Sequence, residues 1–101
     1  VFASGQIGLD PATGELVSGG FEAQVEQAFA NLAEVATAAG GSLADVVKFT
    51  LFLTDLSEFS KANQIMAARV PQPFPARSTV GVASLPRGAL FEVEAVLALA
   101  G

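Results

Sequence analysis

The sequence predicts an α+β domain, a mixed or antiparallel sheet with two helices packed on one face. Three observations carry that expectation. Four runs, at 1–7, 46–54, 77–83 and 89–99, are strand-like, and the run VVKFTLFLT is notably rich in β-branched and aromatic residues. Two stretches, 21–39 and 56–69, repeat apolar residues every three or four positions, the period of an amphipathic helix. Between these runs stand glycine pairs and the prolines Pro71, Pro73 and Pro75, which neither a helix interior nor a central strand accepts. The order is strand, helix, strand, helix, strand, strand. At 101 residues the chain has the length of one domain, expected over 1–101.

Each element has its own justification. VFASGQI reads as a short strand, in which Ser4-Gly5-Gln6 marks a bulge or a close backbone approach. Asp10-Pro11-Ala12-Thr13-Gly14 is a turn, because proline presets φ and glycine allows positive φ. Glu15 to Val17 extends briefly before Gly19-Gly20 breaks it. From Phe21 to Ala39, Val25, Phe29, Leu32 and Ala36 form one stripe, with Glu22, Gln24, Gln27, Asn31 and Glu34 on the other side. Gly40-Gly41 suits a left-handed cap. After the link 42–45, VVKFTLFLT places Phe49, Leu51 and Leu53 on one face and Lys48, Thr50 and Phe52 on the other. Asp55-Leu56-Ser57-Glu58 fits a helix cap with a carboxylate at its third position, opening a helix from Leu56 to about Arg69. Leu85-Pro86-Arg87-Gly88 turns the chain between the last two strands.

Composition narrows the chemistry. The chain is 51% hydrophobic and only 15% charged, too apolar for the large surface of a small monomer, so burial against other copies is expected. No run approaches the ~20 apolar residues of a spanning helix, and no signal peptide is visible, so a cytoplasmic protein without membrane contact is expected. Cysteine and histidine are both absent, which removes thiolate nucleophiles, thiolate metal sites and the commonest general base. No metal site is expected. A net charge of −5 with five basic residues is poorly matched to a phosphate backbone, so no nucleic-acid partner is expected.

The remaining candidates for chemistry are charged residues in strands. Arg77 either pairs with a surface carboxylate or offers its bidentate fork to a ligand. Glu92 and Glu94 share one strand face. They form a solvated face, pair with Arg87 or Lys48, or build a site. Phosphate-loop, dinucleotide and nucleophile-elbow motifs are missing.

A resemblance adds to this. Pro75-Ala76-Arg77-Ser78 followed by Phe91-Glu92-Val93-Glu94-Ala95 closely resembles the C-terminal signature of the Rid family, also called YjgF or L-PSP. VFASGQIGLDPATGELV, the DVVKFTLF strand and the DLSEFSKAN helix start are similar to three further motifs of that family, in the same order, so the resemblance covers essentially the whole chain.

The resemblance implies a chorismate-mutase-like (YjgF-like) fold assembled as a homotrimeric barrel, with clefts between subunits. It implies hydrolysis of small 2-imino acids and their enamine tautomers, such as 2-iminobutanoate and 2-iminopropanoate, to 2-oxo acids and ammonia, with no cofactor. By the same correspondence Arg77 grips the substrate carboxylate and Glu92 positions or activates water. Gly5 brings its backbone to the substrate, Asn63 lines the cleft, and Thr79 stands where many members have cysteine. No family role maps onto Glu94. Met66 and Val70 replace aromatics of many relatives, which implies a wider pocket. Members carry one more strand at the start, with a tyrosine and a serine near the cleft, so this sequence is expected to be trimmed at its N-terminus. Three other functions stay open: a non-catalytic binding paralogue, a ribonuclease and, ranked last, a holdase chaperone suggested by the apolar composition.

Overall fold

The computed structural model describes residues 1–99. Ala100 and Gly101 of the expected domain lie outside the described residues. Strand β1 spans Phe2–Ile7, helix α1 Gly20–Ala38, β2 Val46–Leu53, helix α2 Phe59–Arg69, β3 Ala76–Gly81 and β4 Phe91–Leu97. The four strands form one sheet in the order β1-β4-β2-β3. β4 runs antiparallel to both β1 and β2, while β2 and β3 are parallel. The parallel pair follows from its connection, since α2 carries the chain back along the sheet. The architecture matches the expected mixed sheet with two helices.

The core lies between the helices and one face of the sheet. Val25, Phe29 and Leu32 of α1 are fully buried, as are Phe49, Leu51 and Leu53 of β2 and Phe91 and Val93 of β4. Phe29 packs against both Phe49 and Phe91, with ring centroids 5.9 Å apart in each pair. Alternation then puts Lys48, Thr50, Phe52, Glu92, Glu94 and Val96 on the other face, which no helix covers.

Local interactions adjust several expected boundaries. α1 ends as expected: Gly40 adopts φ 93°, the Gly41 N–H donates to Ala36 O and the Gly40 N–H to Thr37 O. At the start of α2, the Asp55 carboxylate accepts from the Ser57 N–H at 2.9 Å, and the Glu58 N–H donates to Asp55 O. These bonds close a 3-10 turn over Leu56–Glu58, so the α-helix begins at Phe59 rather than Leu56. The last strand begins at Phe91 rather than Ala89. The Ala89 N–H is used by Pro86 O, and the Leu90 N–H by the side chain of Gln24 at 2.8 Å.

Two residues expected on the solvated side of α1 are structural instead. Gln24 is buried and holds Leu90. Asn31 donates to the carbonyls of Ile7 (3.3 Å) and Leu9 (2.8 Å) and accepts from Gln27, clamping the end of β1 to the helix.

Candidate functional site

Arg77 lies on β3, an edge of the sheet. Its register partner is Phe49, whose ring is fully buried beneath the helices, so Arg77 emerges on the helical face. There its guanidinium carbon stands 5.4 Å from the centre of the Phe59 ring, at the start of α2. Among the described residues, no ion pair includes Arg77. The side chain borders a cavity of about 350 Å³ formed with Asn63, Met66 and Ala67 of α2 and with Phe74 and Pro75 of the proline segment. Two positions along β3, Thr79 pairs with Leu51 and so faces the same way. Its hydroxyl is buried and has no hydrogen-bond partner among the described residues.

Glu92 lies on the opposite face. Its partners across the sheet are Phe52 and Ile7, and its neighbour Val93 points into the core. Gly5 stands directly against it. A Cβ built on Gly5 would lie 2.7 Å from the Glu92 carboxyl carbon and closer still to an oxygen. The cause is a bulge. β1 advances three residues from Ala3 to Gln6 while β4 advances two, from Ala95 to Val93, and the extra residue brings backbone over the glutamate. Both expectations for Ser4-Gly5-Gln6, bulge and close approach, describe this geometry. Burial, and then the neighbouring Glu94 carboxylate, push Glu92 above the ordinary carboxylate range.

The two groups considered as partners for the glutamates are otherwise engaged. The Lys48 ammonium donates to the Ser78 hydroxyl at 3.0 Å, and Arg87 donates to Gly14 O at 2.8 Å. Glu92 and Glu94 take part in no ion pair among the described residues.

The structure therefore divides the five candidate residues into two groups. Arg77 and Asn63 share a cavity on the helical face, with Thr79 on the same side of β3. Gly5 and Glu92 meet on the bare face. The sheet separates the groups within one chain. Met66 lines the cavity, as the wider-pocket expectation requires, but Val70 is buried in the core and is not part of that wall. No sequence motif singles out Phe59 as a site residue, although its spacing of four from Asn63 places both on one side of α2.

Comparison with known proteins assigns the chain to a family. The family described as Endoribonuclease L-PSP matches residues 1–99. The chain belongs to this family. Among curated members, the human 2-iminobutanoate/2-iminopropanoate deaminase is 44% identical over 96 residues, covering 95% of this chain and 70% of the human one. The family member RidA from the Antarctic bacterium Psychrobacter shares the fold with a TM-score of 0.94 and 50% identity, over 97% of this chain and 79% of its own. A more distant member, Escherichia coli TdcF, was crystallised with bound serine. It superposes with a TM-score of 0.87 at 34% identity, over 98% of this chain and 80% of its own. The YjgF-like fold expected from the sequence is thus the fold of these L-PSP proteins.

Proposed function

We propose that this chain hydrolyses small 2-imino acids and their enamine tautomers to 2-oxo acids and ammonia, as a cytoplasmic homotrimer. The observation that carries the proposal is Arg77, a guanidinium with no ion partner among the described residues at the rim of a small cavity, in a chain 41–44% identical to curated proteins named for this deamination. A planar fork with free donors suits a substrate carboxylate. Serine in TdcF is a ligand of the same size and carries the same group.

The chemistry follows from the substrate. Water adds to the imine carbon and forms a carbinolamine. The C–N bond then breaks, nitrogen leaves as ammonia and the oxygen remains as the carbonyl. No electrons are exchanged overall. A base must take a proton from water and return it to nitrogen. Glu92 fits that role, since burial and the neighbouring Glu94 raise its pKa and so make it a stronger base than an ordinary carboxylate. Asn63 lines the cleft, and Thr79, on the same side of β3, is the further hydrogen-bonding group of this reading.

Arg77 and Glu92 occupy opposite faces of one sheet, so the complete site takes Arg77 from one copy and Glu92 from its neighbour. Support for assembly comes from the bare face, where Phe2 is 87% exposed and Val80 is also open. A binding-only reading has one observation in its favour, the separation of the two groups in a single chain. The test is decay of freshly generated 2-iminobutanoate, followed for wild type and Arg77→Ala together with the mass of the assembly. Acceleration by a trimer, lost by about 100-fold in Arg77→Ala, is expected. A folded trimer that does not accelerate decay would leave the binding reading.

A further inference from the structure

We infer that Phe59 is a positioning residue that holds the Arg77 guanidinium ready for the substrate carboxylate. The inference rests on the carboxylate-binding role proposed for Arg77.

An arginine on an edge strand has a long, mobile side chain, and something must order it before it can act as a fork. Proteins often do this with a carboxylate. That solution would neutralise the charge and occupy the donors that the substrate needs. Here no carboxylate pairs with Arg77 among the described residues. An aromatic face is present instead, 5.4 Å from the guanidinium carbon and inside the ~6 Å range of a cation–π contact. A ring attracts the cation without cancelling its charge.

The backbone that carries the ring is held by hydrogen bonds. Phe59 is the first residue of α2, and its N–H donates to Leu56 O at the end of the 3-10 turn. That turn is pinned in turn by the Asp55 carboxylate. One helical turn onward, Asn63 lines the cavity that Arg77 borders. The Asp55-capped 3-10 turn that leads into α2 therefore fixes the backbone that carries both the ring and the amide. Phe59 is also 37% exposed, a poor place for an aromatic whose only duty is to fill the core.

The test is a double-mutant cycle on the assembled protein, with 2-oxobutanoate as probe. Its dissociation constant is measured by NMR titration, and KM and kcat for 2-iminobutanoate are measured alongside. Phe59→Leu should weaken 2-oxobutanoate binding and raise KM by about three- to fivefold, with kcat little changed. Phe59→Trp, which keeps a ring, should bind like wild type. In an Arg77→Ala background, Phe59→Leu should have no further effect. The inference is overturned if Phe59→Leu binds like wild type, or if its effect persists without Arg77, as a purely structural role would require. Arg77→Ala binding 2-oxobutanoate like wild type is a different failure, which removes the carboxylate-binding role and this inference with it. Should Phe59→Leu not fold, Phe59→Met carries the same comparison.

Discussion

Glu92 owes its raised pKa first to burial and second to Glu94, and these two causes separate experimentally. As the proposed base, Glu92 must be ionised, so activity is expected to fall as pH drops through its raised pKa. Glu94→Gln removes the repulsive neighbour and should move that acid limb to lower pH, read from the kcat/KM profile. Glu94, which takes no family role by resemblance, thereby acquires one through its charge. Stability carries the opposite sign. A carboxyl whose pKa is raised in the folded state binds protons better there, so its contribution is present at low pH and lost as pH rises through the folded value. Glu92→Gln should therefore raise the melting temperature near neutrality, and the gain should vanish in acid below the ordinary glutamate value. Gly5 acts on the same carboxylate by geometry. An alanine there meets the Glu92 carboxyl, so Gly5→Ala should cut kcat/KM by about 100-fold through displacement of that group, while the protein still folds.

At the level of elements, the strands and helices were legible because their periods differ and their breakers are explicit. The cap of α1 shows the mechanism well. Gly40 holds φ 93° with open space where a Cβ would go, so Gly40→Ala meets no neighbour and suffers only backbone strain. A loss of about 1 kcal/mol in urea unfolding is expected. Side chains that bond backbone across elements were less legible. Gln24 and Asn31 look like solvated helix residues because periodicity records polarity and not the partner that satisfies it. Their partners, Leu90 and the end of β1, are 66 and 22–24 residues away in sequence. The onset of α2 lies one turn later than the capping pattern suggests, for a related reason. An Asp-initiated 3-10 turn and a helical first turn share the same signature, and only the hydrogen-bond spacing separates them. The roles proposed for Arg77 and Glu92 rest on family motifs. Their orientation depends on register: alternation gives each strand two faces, and pairing decides which face of β3 agrees with which face of β4.

On the scale of the whole molecule, the sheet acts as a partition. One face is closed by α1 and α2 and carries the Arg77 cavity at its edge. The other is bare and carries Glu92 beneath Gly5. The strong apolar bias of the composition and the exposed Phe2 and Val80 agree with closure of that second face by further copies. The partition also has a genetic consequence. If each site draws its arginine from one subunit and its glutamate from the next, two inactive variants can restore each other. Arg77→Ala subunits still donate Glu92, and Glu92→Gln subunits still donate Arg77. Unfolding and refolding the two variants together in equal amounts should regenerate intact sites at about a quarter of the interfaces of a ring assembled at random. The mixture should then recover a similar fraction of wild-type activity, whereas each variant refolded alone stays silent. Such complementation would be impossible for a site built inside one chain.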